Sequence, residues 1–199
     1  MKGSEETSWD VAVVGGGIIG LSIAFRARQQ GLNVVVLDRG GDGATRHAAG
    51  MLAPVSEAEV GHGELLDDGL ESATAWPAFA AELGVALHTA GTLMVARDRD
   101  EAEALDRERA FREKLGLRVE RLLPSAARRL EPALAPSVRL ALHVPDDRAV
   151  DPRAVLDALR ARVEVRQCEV SSLDEVAAET VVLAAGAWSA RLCDVPVRP

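Results

Sequence analysis

Hydrophobic residues near the start of the chain form two β-branched runs that enclose one helical segment. Residues 9–14 and 33–37 are apolar without alternation, which is typical of parallel strands buried on both faces. Between them, residues 18–30 carry apolar positions at helical spacing, and Gly31 ends this helix. Strand, helix and strand together take about 30 residues, the length of one βαβ unit. The pattern therefore predicts a parallel α/β sheet.

The rest of the chain alternates between helical and strand-like patterns, after a loop predicted at residues 40–50. The predicted helices are 64–83, 100–115, 125–130 and 151–162. The predicted strands are 91–97, 117–122, 138–144, 163–170 and 180–184. Asp67 or Asp68 is a candidate cap of the helix at 64–83. Asp151 is the predicted cap of the helix at 151–162, with proline at its first helical position. Alternation in 138–144 predicts a strand with one solvated face, whereas 180–184 is predicted to be buried.

Composition and charge narrow the classes of partner. The net charge is −8, with 23 Lys and Arg against 31 Asp and Glu, which argues against a nucleic-acid or anionic membrane surface. Charges between residues 107 and 114, Arg112 among them, alternate in sign as on a solvated helix face. No apolar run approaches the ~20 residues of a membrane helix, and the polar N-terminus lacks a secretory pattern, so we expect a cytoplasmic protein.

The cysteines and histidines give no sign of a disulfide framework or a metal site. Two cysteines are too few for a disulfide framework, and Cys168, in an apolar run, is expected to be buried and inert. His88 and His143 have no partners at the spacing of metal ligands, so we expect no metal.

A glycine-rich turn, residues 15–20, follows the first predicted strand and opens the first helix. Gly15 permits the tight turn, Gly17 lets a pyrophosphate approach the backbone, and Gly20 lets helix and strand pack closely. The helix N-terminus offers N–H groups and a partial positive charge to phosphates. Asp38, at the end of the second strand, is placed to accept hydrogen bonds from an adenosine ribose. The motif predicts a dinucleotide site and leaves NAD and FAD both open.

Further segments match a known family, in the same order along the chain. They are residues 43–54, which contain Ala49-Gly50-Met51, and residues 91–93, 131–134, 144–147, 150–152 and 182–189. Through them the chain resembles the FAD-dependent D-amino-acid oxidase family, and within it the glycine oxidase branch of thiamine biosynthesis. The resemblance implies an FAD-binding, Rossmann-like, doubly wound α/β domain. Residues 1–51 and 151–199 would form it, with 52–150 as an inserted α+β substrate lobe.

The resemblance also implies FAD as cofactor and a set of contact residues. In addition to Gly15, Gly17 and Gly20 these are Ile18, Ile19, Asp38, Arg39, Ala44, Thr45, Ala49, Gly50, Met51, Val170 and Gly186. Asp38 and Arg39 would flank the ribose, and residues 44–45 would approach the phosphates. Residues 49–51 would run along the flavin, while Val170 would present its backbone to the adenine. Small residues suit a backbone that must come close to a flat ring.

The implied reaction is oxidation of the amine of glycine, sarcosine or a small D-amino acid, with hydrogen peroxide as product. Members of the family continue beyond the segment at residues 195–199, and that continuation supplies the arginine that binds the substrate carboxylate. We therefore expect the N-terminal half of an oxidase and assign no catalytic residue. A homo-oligomer or a complementing C-terminal half is the expected partner. A non-catalytic FAD-binding remnant or subunit and an amine dehydrogenase of the same superfamily remain alternatives.

Overall fold

The computed structural model describes residues 9–196 of the chain. Within them, the strands are β1 (Trp9–Val14), β2 (Val34–Asp38), β3 (Met51–Leu52), β4 (Leu87–His88), β5 (Thr92–Ala96), β6 (Glu120–Leu122), β7 (Leu140–Val144), β8 (Arg148–Val150), β9 (Glu164–Gln167) and β10 (Ala178–Leu183). The α-helices are α1 (Ile18–Gln29), α2 (Ala44–His47), α3 (Gly63–Leu83), α4 (Arg99–Lys114), α5 (Pro124–Leu130) and α6 (Pro152–Arg160). Two 3₁₀ segments are Leu173–Glu175 and Gly186–Arg191.

The chain forms two compact units and passes between them twice. The first unit comprises the described residues up to Ala49 and those from Asp151 onward, and the second unit is Gly50–Val150. No described helix is both long enough and apolar enough to cross a bilayer.

The first unit is a parallel sheet in the order β10-β1-β2-β9. Val13 pairs with Val36 on one side and with Val182 on the other, and Val13 and Val36 are fully buried. Leu21 and Ala24 on α1 are also fully buried, and α1 packs against α6. The predicted βαβ unit and its Rossmann-like α/β fold are therefore confirmed.

The two edge strands of this sheet differ from expectation. The predicted burial of residues 180–184 is wrong, since β10 is half-buried to exposed: within residues 9–196 it pairs with β1 alone. The predicted burial of Cys168 is also wrong. Strand β9 ends at Gln167, so Cys168 lies beyond the edge strand, where its side chain is exposed.

The second unit contains two small antiparallel sheets, ordered β5-β7-β6 and β3-β8-β4. The expected solvated face of residues 138–144 is wrong, because β7 is central and contacts both α4 and α5. Leu140 and Leu142 join Ala96 and Leu105 in its core. The suggested caps at Asp67 and Asp68 are wrong too, since α3 already begins at Gly63 and both residues lie within it.

A buried polar clamp in the second unit holds residues 53–58. The solvated position expected for Arg112 is wrong: its side chain is 2% exposed and ion-pairs with Glu108. Arg112 Nε donates to the carbonyl oxygen of Val55 at 2.8 Å, and Nη2 donates to that of Ser56 at 2.6 Å. Asp147, fully buried, accepts from the N–H groups of the same two residues at 3.3 Å each. Arg112 thus holds the carbonyl groups of Val55 and Ser56, and Asp147 holds their N–H groups.

An ion pair between α4 and β6 makes part of the stability depend on pH. Asp106 accepts a hydrogen bond from Arg121 at 2.9 Å, which lowers the pKa of Asp106, with further help from Arg109. Because the folded pKa lies below the unfolded one, this stabilisation is present at neutral pH and is lost as pH falls through the lowered pKa. We expect Asp106→Asn to lose less thermal stability than wild type between about pH 7 and about pH 3. If the melting temperatures of the two proteins fell by the same amount over this pH range, the prediction would be contradicted.

Candidate dinucleotide site

The glycine-rich turn lies at the C-terminal end of β1, between the ends of its two neighbouring strands. The N–H of Gly15 donates to the carbonyl oxygen of Leu37 on the β2 side at 2.8 Å. On the β10 side, the N–H of Ala184 donates to the carbonyl oxygen of Val14, also at 2.8 Å. The carboxyl ends of parallel strands are where such sheets bind ligands. The turn therefore occupies the position expected of a binding loop.

Two of the glycines are required by the packing of the chain itself. Gly15 has a φ of +114°, and a Cβ there would lie 2.3 Å from the carbonyl oxygen of Ala184. At Gly20 a Cβ would lie 2.0 Å from the carbonyl oxygen of Gly15. These contacts let α1 approach β1 and fit the roles that the sequence predicts for both residues.

Gly17 has no such internal reason to be glycine. Its φ of −79° and ψ of −179° are extended backbone that any residue adopts. The nearest atom to a Cβ there is Thr45 Oγ1 at 3.7 Å, an ordinary contact distance. The chain folds around Gly17 without needing a residue that lacks a side chain, so the open space there suits a ligand that approaches the backbone closely.

The N-terminus of α1 leaves donors available beside that space. Gly17 is the N-cap and supplies no side-chain cap. Thr45 Oγ1 accepts the N–H of Ile18 at 3.2 Å, which leaves the hydroxyl proton of Thr45 free to donate. Within residues 9–196, no acceptor is found for the N–H groups of Ile19 and Gly20. Together with the helix dipole, these donors suit the oxygens of a pyrophosphate.

Asp38 is fixed in place next to the turn. Its Oδ2 accepts the N–H of Gly16 at 2.5 Å, and its Oδ1 accepts the N–H of Gly40 at 2.8 Å. Arg160 Nη2 lies 3.4 Å from Oδ1, and the Asp38 side chain remains 18% exposed. Each carboxylate oxygen accepts more than one hydrogen bond. Asp38 is therefore held in one orientation and retains lone pairs for the hydroxyl groups of a ribose.

Sequence reasoning missed Gly16 and Arg160. A Cβ at Gly16 would lie 2.6 Å from Asp38 Oδ2, so this glycine is required for the carboxylate to reach the turn. The signal was present, because Gly16 stands inside the motif. Nothing in the sequence ties Arg160 to Asp38, since they are far apart in the chain and meet only when α6 packs beside the sheet.

The remaining predicted contacts of the first unit are exposed or half-buried. Arg39 and Ala44 are exposed, Ile19 is 68% exposed, and Val170 is half-buried in the coil after β9. Gly186, with a φ of +56°, opens the 3₁₀ segment after β10.

The flavin-side stretch is divided between the two units. Ala49 is the last residue of the first unit, whereas Gly50 and Met51 belong to the second. Met51 pairs with Ala149 and is 49% exposed.

The second unit has an open groove between α3 and the segment that follows β3. Its volume is about 710 Å³, and its apolar lining includes Leu52, Leu66 and Trp76. Glu57, Glu59 and His62 also line it, and among the described residues no arginine does. A substrate carboxylate is normally held by an arginine fork. The described residues of this groove therefore identify no carboxylate site. Nor do the described residues include a group of three or more side chains able to hold a metal ion.

A family model and individual similar proteins point to the same family. The family model described as FAD dependent oxidoreductase (DAO) matches residues 10–199. The glycine oxidase of Geobacillus kaustophilus is 32% identical over 92% of this chain and 56% of its own length. The bifunctional protein ThiO/ThiG of Trichormus variabilis is 27% identical over 96% of this chain and 33% of its own. The chain thus spans about half the length of that glycine oxidase and about a third of the length of the bifunctional protein.

A solved structure agrees with the sequence comparison. The crystal structure of the Geobacillus kaustophilus glycine oxidase superposes on this chain with a TM-score of 0.84 and 32% identity. The match covers 93% of this chain and 57% of that one.

Proposed function

We propose, on the premise that the chain belongs to the DAO family of FAD-dependent oxidoreductases, that it binds FAD at the glycine-rich turn and serves the oxidation of a small amine substrate. FAD is the cofactor of this family, so family membership decides the dinucleotide that the motif itself left open. The resemblance to the glycine oxidase branch is also confirmed by the comparisons.

The observation that carries the binding proposal is the open space at Gly17. A glycine with ordinary φ and no close neighbour is unexplained by the fold, and a pyrophosphate in contact with the backbone explains it. The free N–H groups of Ile19 and Gly20, the Thr45 hydroxyl and the oriented Asp38 carboxylate surround this space with groups suited to phosphates and a ribose. Arg39, Ala44, Ala49, Val170 and Gly186 are the other residues of the proposed set that belong to the first unit.

The substrate proposal comes from the relatives. Glycine, sarcosine or a small D-amino acid is the proposed substrate, because a glycine oxidase is among the similar proteins. The chemistry that FAD supplies when bound is acceptance of a hydride from the α-carbon, giving an imine, followed by transfer of the electrons to dioxygen as hydrogen peroxide. The described residues would contribute cofactor binding and orientation. A link to thiamine biosynthesis is proposed because one similar protein, from Rhizobium etli, is named as a thiamine biosynthesis oxidoreductase, ThiO.

The test is spectroscopic first and enzymatic second. The purified chain is expected to show flavin absorbance, or to acquire it when incubated with FAD and desalted. A colourless protein that takes up no FAD would overturn the binding proposal.

Turnover then tests the substrate proposal with the FAD-loaded chain. Peroxide production with glycine, sarcosine or D-alanine supports it. Dye reduction that needs no oxygen identifies a dehydrogenase instead. FAD binding without turnover of any of the three refutes the substrate proposal and leaves a cofactor-binding protein.

A further inference from the structure

Trp188 lies between two arginine side chains in the first unit. The guanidinium carbon of Arg39 is 4.0 Å from the centre of the Trp188 ring, and that of Arg191 is 4.1 Å from it. Both distances are well inside the ~6 Å range of cation–π attraction. Trp188 is 41% exposed, so the indole ring fills no core. We call Arg39, Trp188 and Arg191 the arginine–tryptophan stack.

The strand order places this stack across the glycine-rich turn. Arg39 follows β2 directly, and Trp188 follows β10, while β1 lies between these two strands. A contact between Arg39 and Trp188 therefore bridges the carboxyl end of β1, from which residues 15–17 emerge. It joins the loops on the two sides of the proposed FAD site.

The charge of the stack is uncompensated within residues 9–196. Neither Arg39 nor Arg191 forms an ion pair with a described carboxylate, whereas Arg46, Arg160 and Arg166 in the same unit do. An exposed arginine without an ion pair samples many rotamers, and ordering it on binding costs conformational entropy. Stacking on Trp188 restricts Arg39 before any ligand arrives. A restrained cation at this place suits the phosphate and ribose oxygens of a dinucleotide.

We propose that Trp188 and Arg191 are positioning residues, which hold the Arg39 guanidinium ready for the adenosine diphosphate half of FAD. This rests on the proposed FAD site. Trp188 supplies the face on which Arg39 lies. Arg191 occupies the opposite face and keeps the indole ring from rotating away. Arg39 is the residue that contacts the cofactor, so the other two act only through it.

The test is a double-mutant cycle on FAD affinity in the full chain, read by flavin fluorescence during titration of the apoprotein. Trp188→Leu is expected to weaken FAD binding by about 5- to 20-fold, the size of an exposed to partly desolvated cation–π contact. Trp188→Phe, which keeps an aromatic face, recovers most of the affinity. Arg191→Gln weakens binding by a smaller factor. Arg39→Gln combined with Trp188→Leu binds within about twofold of Arg39→Gln alone, because Trp188 has nothing left to position.

Two controls separate positioning from a general effect on folding. The melting temperature of the apo variants falls by no more than a few degrees, since Trp188 is not in the core and its contacts with the arginines are at the surface. Arg166→Gln removes another arginine–tryptophan contact of the same unit, with Trp9 at 4.9 Å, and leaves FAD affinity unchanged.

The outcomes distinguish a failure of the positioning role from a failure of the proposed FAD binding. Wild-type affinity in Trp188→Leu, or effects of Arg39→Gln and Trp188→Leu that multiply in the double variant, overturns the positioning role while FAD binding stands. A wild-type chain that binds no FAD overturns the proposed function and the positioning role together.

Discussion

Replacing Gly17 by alanine is expected to lower FAD affinity by about 100-fold or more, which corresponds to about 2.7 kcal/mol of binding free energy. The added methyl group enters the open space next to the helix N-terminus, where the pyrophosphate would contact the backbone. The apo fold tolerates it, because the φ at Gly17 is ordinary and the nearest atom is 3.7 Å away. An alanine N-cap changes the free energy of unfolding by at most about 1 kcal/mol.

The matched control for this variant is Gly20→Ala in the same turn. There the methyl group would lie 2.0 Å from the carbonyl oxygen of Gly15, so α1 has to move away from β1. We expect that variant to lose thermal stability and FAD binding together. Thermal unfolding of the apoproteins and FAD titration measure both quantities. If Gly17→Ala bound FAD as tightly as wild type, the cofactor would no longer account for the glycine at this position.

Arg112→Leu is expected to lower the free energy of unfolding by about 3–5 kcal/mol, because it removes a buried donor from two carbonyl groups and each group left without a partner costs about 1–3 kcal/mol. The variant leaves the carbonyl groups of Val55 and Ser56 without the guanidinium donors that they have in the wild type. For a chain of this length the melting temperature falls by about 10 °C. Calorimetry of wild type and variant measures the change directly.

An arginine on the same helix provides the comparison for Arg112. Arg99 is 85% exposed, and its ion-pair partner among residues 9–196 is Glu103. Arg99→Leu is expected to change the free energy of unfolding by less than about 1 kcal/mol. Equal effects of the two substitutions would mean that the clamp around residues 53–58 contributes no more than a surface ion pair.

Periodicity predicted the first βαβ unit well because its two strands are β-branched and its helix ends at a glycine. Residues 9–38 contain buried β-branched strands and a helix between glycines, and the structure forms them within one residue of the predicted bounds. The cap at Asp151 was also predictable, since Asp151 accepts the N–H of Arg153 at 2.9 Å. The family resemblance was predictable from short local motifs such as residues 43–54 and 182–189, and FAD as the cofactor followed from that resemblance.

What the sequence concealed depends on contacts between distant residues. Strands β3, β4 and β8 have two or three residues each, too few to show a period. Arg112 lies among alternating charges that resemble a solvated face, and only the fold places it against residues 53–58. The contact of Arg39 with Trp188 arises because β10 and β2 flank the same strand. No local pattern encodes these pairings.

The two crossings between the units carry an evolutionary consequence. At the boundary, the N–H of Val150 donates to the carbonyl oxygen of Gly50 at 2.9 Å, so the inserted segment leaves almost where it enters. A segment with adjacent ends is acquired, exchanged or lost by a gene without stretching the host domain, because the host sees only a short loop. The first unit can thus keep its architecture through successive replacements of the second, because only the two adjacent ends of the insert have to fit it.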